Sequence, residues 1–213
     1  DDEHMRMIKA AVPTASVVSG NQGLVTLATD PEVDLVINAL VGRVGLEPTM
    51  AALEAGKGVA MANKEPLVMA GGLIVAAAEK YGGQLLPLDS EPNAIWQCLK
   101  GEDPQGLKRI ILTASGGPFY GRSREQLREI SPVEALDHPT WKMGPKISVD
   151  SATLMNKGFE VIEACWLFAV DIEQVDVVVH RESVVHSLVE FIDGALLAHM
   201  GETDLLLPLQ YAL

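Results

Sequence analysis

The segment from Asp89 to Glu160 gathers residue types able to do chemistry together: DSE, SGGP, HPTW and DSATLMNKGFE all fall within it. Asp89-Ser90-Glu91 follows a strand-like run, GGQLLPL; kept extended, its period of two would point both carboxylates the same way. The second acidic block reads as helix. There Asn156 and Glu160 stand four apart and Lys157 and Glu160 three apart, so all three share one helix surface. Three acidic oxygen donors, Asp89, Glu91 and Glu160, beside a lysine and an amide suit a hard divalent cation holding an anionic, oxygen-rich substrate.

Each block also has a plainer reading. Ser90 could simply cap the helix PNAIWQCL, with Glu91 as a favourable first-turn charge. SGGP, residues 115 to 118, is either an ordinary turn or a bend that aims backbone N–H groups and the Ser115 hydroxyl at an anion. Ser151, read at the start of the long helix, joins Asn156 and Lys157 as a candidate phosphate site; otherwise Asp150 or Ser151 caps and Lys157 is solvated. In the loop His138-Pro139-Thr140-Trp141, which ends at Met143-Gly144-Pro145, the tryptophan either plugs a core or covers a ligand. Asn63-Lys64-Glu65 ends a parallel-type strand, where open α/β sheets take ligands, or is a solvated loop. His4, His180 and His199 receive no role, and His186 is intermediate.

These blocks need a scaffold, and the sequence outlines one. A helix near EHMRMIKAAV leads to a short strand at ASVV, a helix around NQGLVTLA and a strong strand at DLVINAL. LEPTMAALEAGK has Pro48 in its first turn and Gly56 and Gly58 near its end, the expected helix start and stop signs. GVAMAN reads as strand and GGLIVAAAEKYGG as helix, and this alternation predicts an α/β fold opening on a partial Rossmann-like parallel sheet. The later part predicts an α+β unit with a mixed sheet. KRIILTA, VDVVVH, SVVHSLVEF and ALLAHM are strands, with a hairpin turn at Asp193-Gly194. REQLREI is a short helix, and SATLMNKGFEVIEACWLF one long amphipathic helix with Leu154, Phe159, Ile162 and Trp166 away from the Asn156/Glu160 face. The expected domains are 1–88, nucleotide-binding, and 89–213, metal- and substrate-binding.

Composition narrows the partners. The 213 residues are 48% hydrophobic and 21% charged, enough for a substantial core and too little charge for a disordered chain. A net charge of −13 argues against nucleic acid or an anionic membrane as the main partner. An anionic substrate would need local cations, which Lys64, Lys146 and Lys157 could supply. Cys98 and Cys165 stand in apolar helical settings and read as buried thiols of a reducing compartment. With no apolar run of membrane-spanning length, a soluble cytoplasmic protein is expected. No G-x-G-x-x-G fingerprint occurs, the chain starts on a helix, and it stops at LPLQYAL, so both ends read as cut.

Taken together, ALVGRVGLEPTMAALEAGK, ANKEPLVMAGG, LPLDSEPNAIWQCL, ILTASGGPF, HPTWKMGPKISVDSATLMNKGFEVIEACWLF and SVVHSLVEFIDGALLA closely resemble the 1-deoxy-D-xylulose 5-phosphate reductoisomerase family, in its order. The resemblance implies that Asp89, Glu91 and Glu160 bind Mg²⁺ or Mn²⁺, and that Lys64, Ser90 and Glu91 surround the substrate's carbonyl and hydroxyls. It implies a phosphate site at Ser115, Ser151, Asn156 and Lys157, a mobile flap at His138 and Trp141, and NADPH contacts at Asn63, Glu65 and Gly144. Lys64, Glu91 and His138 are then the catalytic candidates. The implied reaction isomerises a phosphorylated ketose and reduces the product with NADPH in non-mevalonate isoprenoid synthesis, in a homodimer when full-length. The family's opening Gly-rich turn and its C-terminal helical domain have no counterpart in this sequence.

Some positions depart from the family: Pro92 stands where histidine is common, Pro66 where serine is, Lys142 where a small polar residue is, Arg181-Glu182 where Pro-Gln is, and Leu205-Leu206 where Met-Arg is. Two other readings stay open: a metal-dependent sugar-phosphate isomerase or aldolase without nicotinamide, and a non-catalytic module whose polar helix face is merely solvated.

Overall fold

The computed structural model describes residues 2–213, and the chain divides into two compact units, Asp1–Leu86 and Pro87–Leu213. In the first, helices α1 (Asp2–Ala11) and α2 (Gly20–Ala28) precede strand β1 (Leu35–Asn38). Helix α3 (Leu46–Glu54), strand β2 (Gly58–Met61), helix α4 (Glu65–Tyr81) and strand β3 (Leu85–Pro87) follow. The strands form one sheet in the order β1-β2-β3, with β1 and β2 parallel from Leu35 opposite Gly58 to Asn38 opposite Met61. The expected strand at ASVV is absent. Residues 15–18 are irregular and have no neighbouring strand, and β-branched composition without a ladder partner does not make a strand. Helix α4 starts at Glu65, earlier than the apolar pattern suggested, because Pro66 is compatible with a first turn; Ala70, at φ −145°, then kinks it. Leu53, Val59, Met61, Leu67 and Ile74 are fully buried, each contributing roughly 1.5–3 kcal/mol of transfer free energy.

The second unit is built on a sheet ordered β5-β4-β6-β7: β4 (Leu107–Ala114), β5 (Val175–Val179), β6 (Val185–Phe191) and β7 (Leu196–Met200). Strand β4 runs parallel to β5 and antiparallel to β6, and β6–β7 is the expected hairpin, its turn fixed by Ala195 N–H donating to Asp193 Oδ1 and by Gly194 at φ +88°. Helix α5 (Ser90–Leu99) lies against β6 and β7 and also against α9 (Met155–Phe168), which contacts β4 and β5. Ile95, Ile110, Leu112, Val170, Val189 and Phe191 fill the space between these layers. The remaining helices are α6 (Arg124–Leu127), α7 (Pro132–Leu136), α8 (Pro145–Ala152) and α10 (Leu206–Ala212).

The single long helix expected over 151–168 is two. Leu154 sits in the left-handed region (φ 62°) between α8 and α9. Thr153 turns its hydroxyl back onto the Val149 and Asp150 carbonyls, and the Leu154 N–H bonds the Ser151 carbonyl, which closes α8 tightly. Periodicity could not reveal this, because α8 and α9 each keep a helical pattern across the break. The buried face of α9 is also not the apolar one expected: Lys157, Glu160, Glu163 and Ala164 are buried, whereas Trp166 is 42% exposed. Cys98 and Cys165 are free thiols, as expected, but only half-buried where full burial was expected.

Candidate metal and anion site

The acidic centre starts at a helix cap. Asp89 leaves β3 with extended dihedrals (φ −62°, ψ 142°), and its carboxylate accepts the Ser90 N–H at 3.2 Å. The helix therefore begins at Ser90, so Ser90 is not the cap and Glu91 is not extended. An aspartate that satisfies an orphan N–H at a helix start wins over continuation of the strand. Pro92 fits the first turn of α5, where its missing N–H costs nothing. Glu91 accepts from Ser90 Oγ at 2.6 Å.

Because α5 and α9 lie side by side, Glu160 reaches the same point. One carboxylate oxygen each from Asp89, Glu91 and Glu160 lies within 4.8 Å of the others, and Glu160 is 1% exposed. Asn156 Nδ2 donates to Glu160 Oε1 at 2.5 Å, as the four-residue spacing required. Lys157 Nζ donates to Glu91 Oε1 at 2.7 Å and also pairs with Glu160. Burial opposes the Lys157 charge, but Glu160 and then Glu91 outweigh it and hold the ammonium above the ordinary lysine pKa. The donor set is hard, oxygen-only and more negative than one ammonium can balance, which fits a divalent cation.

An anion-type surface adjoins it. Strand β4 delivers Ser115, followed by Gly116 and Gly117 at φ +79° and +66°. A side chain at Gly117 would stand 2.7 Å from the Ser151 carbonyl, so the end of α8 closes directly onto this turn. Ser151 is thus in the last turn of α8 and not at a helix start, yet it is buried and faces the same space. Ser115 Oγ accepts the Gly117 N–H at 3.2 Å and lies 2.9 Å from His138 Nε2.

His138 is held in one tautomer. Its Nδ1 accepts backbone N–H groups from Trp141 at 2.9 Å and Thr140 at 3.3 Å, so the ring proton belongs on Nε2, facing Ser115. Burial, then the Arg181 charge, pushes its pKa below the usual value and keeps it neutral.

A cavity of 670 Å³ joins these groups: Asp89, Ser90, Glu91, Ser115, His138, Trp141, Gly144, Ser151, Asn156, Lys157 and Glu160 all line it. It also takes in Thr113, Ser183 and His186, which sequence reasoning left out or undecided. His186 is buried, its ring tilted against Trp141 at 6.5 Å and against His199 at 6.0 Å, and it donates toward the Glu202 carbonyl at 3.1 Å. Its inward position in β6 is a matter of register that strand alternation alone does not fix. Lys142 lines the rim, whereas Lys146 pairs with Asp150 at 2.6 Å on the surface. Lys64, Asn63 and Glu65 belong to the first unit. Lys64 caps α4 and is buried, and Asn63 Nδ2 donates to Glu65 Oε2 at 2.5 Å and to the Gly42 carbonyl at 3.2 Å.

The likeness to known proteins can be set beside this geometry. A model of the 1-deoxy-D-xylulose 5-phosphate reductoisomerase C-terminal domain matches residues 85–168, and a model of the same family matches residues 1–71. Curated reductoisomerases of that name from a Geobacillus species and from Heliobacterium modesticaldum are 55% and 57% identical over 197 residues, or 92% of this chain. The chain spans about half the length of these relatives, 52% and 50%. A DOX-P reductoisomerase solved with NADPH, fosmidomycin and magnesium is 45% identical and superposes with a TM-score of 0.92, over 99% of this chain and 55% of that one. The Zymomonas mobilis enzyme with NADPH is 42% identical, with a TM-score of 0.89 over 100% of this chain and 55% of its own. With sequence, fold and motif order in agreement along its whole length, the chain belongs to the 1-deoxy-D-xylulose 5-phosphate reductoisomerase family.

Proposed function

We propose that this chain carries the metal- and substrate-binding part of an NADPH-dependent enzyme that isomerises and reduces 1-deoxy-D-xylulose 5-phosphate to 2-C-methyl-D-erythritol 4-phosphate. The observation that supports this most is the meeting of Asp89, Glu91 and Glu160 within 4.8 Å, in the cavity that also holds Ser115, Ser151, Asn156 and Lys157. A Mg²⁺ or Mn²⁺ ion held by the three carboxylates supplies Lewis acidity to the substrate's ketone and neighbouring hydroxyl oxygens. Ser90, already turned toward Glu91, orients a hydroxyl, and Glu91 accepts a proton there while binding the cation. Ser115, Ser151, Asn156 and Lys157 receive the phosphate through hydroxyl, amide and ammonium donors. His138 and Trp141 close over the cavity and exclude water. NADPH supplies the hydride, with Asn63, Glu65 and Gly144 as its contacts and Lys64 as a substrate ligand on the strength of the family likeness. The same reading places the whole protein in the cytoplasm as a homodimer; among the described residues no helix is long and apolar enough to cross a membrane.

Calorimetric titration with Mn²⁺ tests the centre of this reading. The chain should take up Mn²⁺, and Glu160→Gln should weaken it by at least tenfold, since roughly 1.4 kcal/mol is one decade and a ligand charge is worth more. Unchanged affinity in that variant would remove Glu160 from the centre.

A further inference from the structure

Arg181 lies behind the Ser115-Gly116-Gly117 turn and belongs to none of the groups discussed as ligands. One guanidinium nitrogen, Nη1, donates to the Ser115 carbonyl at 3.2 Å and to the Gly117 carbonyl at 3.0 Å. The same guanidinium lies over the Tyr120 ring, 4.9 Å from its centre. That ring in turn abuts Gly116, where an added Cβ would stand 3.0 Å from Tyr120 Cδ2. Arg181 therefore grips the turn twice, through its outward carbonyls and through the ring against its back. A peptide unit whose carbonyl points outward presents its N–H on the opposite side. Holding the Ser115 carbonyl outward thus fixes the Gly116 amide hydrogen toward the cavity, while the bond to the Gly117 carbonyl, which is followed by Pro118 with no N–H, anchors the end of the turn.

We propose that Arg181 is a positioning residue for anion binding: it holds the glycine-rich turn in the shape that presents the Ser115 hydroxyl and the Gly116 N–H to a phosphate. This rests on the phosphate role given above to Ser115. The residue is half-buried, and its two hydrogen bonds to the turn are made to backbone. Arginine suits it, since a planar guanidinium can bond two carbonyls while stacking on an aromatic face. Its charge also reaches His138 across a second, smaller cavity shared with Arg122, Glu134 and Asp137, and it favours the neutral imidazole whose Nε2–H faces Ser115.

The test uses the chain as it stands, with inorganic phosphate and Mn²⁺ as separate probes and the His138 ring followed by NMR. Arg181→Gln should weaken phosphate roughly tenfold, the loss expected when one or two charge-assisted bonds to the turn disappear. It should leave Mn²⁺ affinity within twofold, and the His138 pKa should rise. Arg181→Lys, the milder change if the glutamine variant does not fold, should keep the low His138 pKa yet still weaken phosphate, because an ammonium lacks the planar fork. Wild-type phosphate affinity in both variants overturns the proposal and leaves the phosphate site standing. A wild-type chain that takes up no phosphate, while still binding Mn²⁺, overturns both the proposal and the phosphate role of Ser115.

Discussion

Lys157 occupies the position in which a cation is needed, and replacing it separates charge balance from packing. Its ammonium is the positive charge bonded to Glu91 and Glu160, with the lysine side chain 8% and the Glu160 side chain 1% exposed. Lys157→Met keeps most of the stem volume and removes the charge. Breaking a buried ion pair costs about 3–5 kcal/mol, because the surviving charge is left uncompensated. One effect reduces this: Glu91 is 18% exposed and regains some hydration. A loss of about 2–4 kcal/mol follows for the metal-free chain, or roughly 5–15 °C in melting temperature at this size.

Mn²⁺ should narrow the gap. In the wild type the ion must displace an ammonium that is already paired; in the variant it meets carboxylates with no rival, so affinity rises, by about tenfold if displacement costs about 1.4 kcal/mol. At one hundred times the variant's dissociation constant the ion adds about 2.7 kcal/mol to the variant and about 1.4 kcal/mol to the tenfold weaker wild type, so the variant should recover about 1.3 kcal/mol of its deficit. Scanning calorimetry with and without Mn²⁺, done on both proteins, measures this directly. An equal Mn²⁺-induced shift in the two, or a variant as stable as wild type without metal, would refute the view that Lys157 stands in for the ion.

Further outcomes follow from single contacts. Gly45→Ala would place a Cβ 1.9 Å from Asn63 Oδ1 and 2.7 Å from Asn38 Nδ2, within a buried amide cluster, so unfolding in urea should show a loss of about 1–3 kcal/mol; unchanged stability would mean the amides can move aside. Gly117→Ala combines φ +66° with a Cβ 2.7 Å from the Ser151 carbonyl, and calorimetry should show phosphate affinity lost while Mn²⁺ still binds; retained phosphate binding would argue against the turn as an anion site. His138 has a folded pKa below 6.5, so its contribution to stability is complete above the unfolded value and is lost as pH falls through the folded one. Acid should therefore release the Trp141 amide from Nδ1, and its protection against hydrogen exchange, relative to the intrinsic rate at each pH, should fall as the ring protonates; constant protection across that titration would count against the bond.

The sequence made the sheets, most helices and the convergence of three carboxylates legible, for local reasons. Strands such as GVAM and KRIILTA carry buried, β-branched runs, and the i, i+4 spacing of Asn156 and Glu160 survives in any helix. What stayed hidden depends on pairing and on rare dihedrals. ASVV has strand composition and no partner, so no strand forms. The break at Leu154 needs a non-glycine residue at φ 62°, which no propensity scale anticipates. His186 and Thr113 enter the cavity through the register of β6 and the end of β4, which depend on which strand lies beside which.

The same contrast explains why Asp89, Glu91 and Glu160 converge although their local geometry is not the one first read. Asp89–Glu91 does not stay extended, the condition on which its carboxylates were read as pointing the same way, and the continuous helix expected from Ser151 is broken. Convergence survives because it is set one level up: α5 and α9 share one face of the β5-β4-β6-β7 sheet, so the cap of one and the first turns of the other meet however each begins. Once two helices are fixed side by side on a packed sheet, carboxylates near their N-terminal ends gain a shared, partly dehydrated space, and Lys157 offsets part of their charge there. The buried charged face of α9 follows from this pairing. An amphipathic rule would have buried Trp166 and exposed Glu160, and the molecule does the reverse, because Glu160 and Lys157 bonded to each other, with Glu91 on the same ammonium, are less costly to bury than any of them alone.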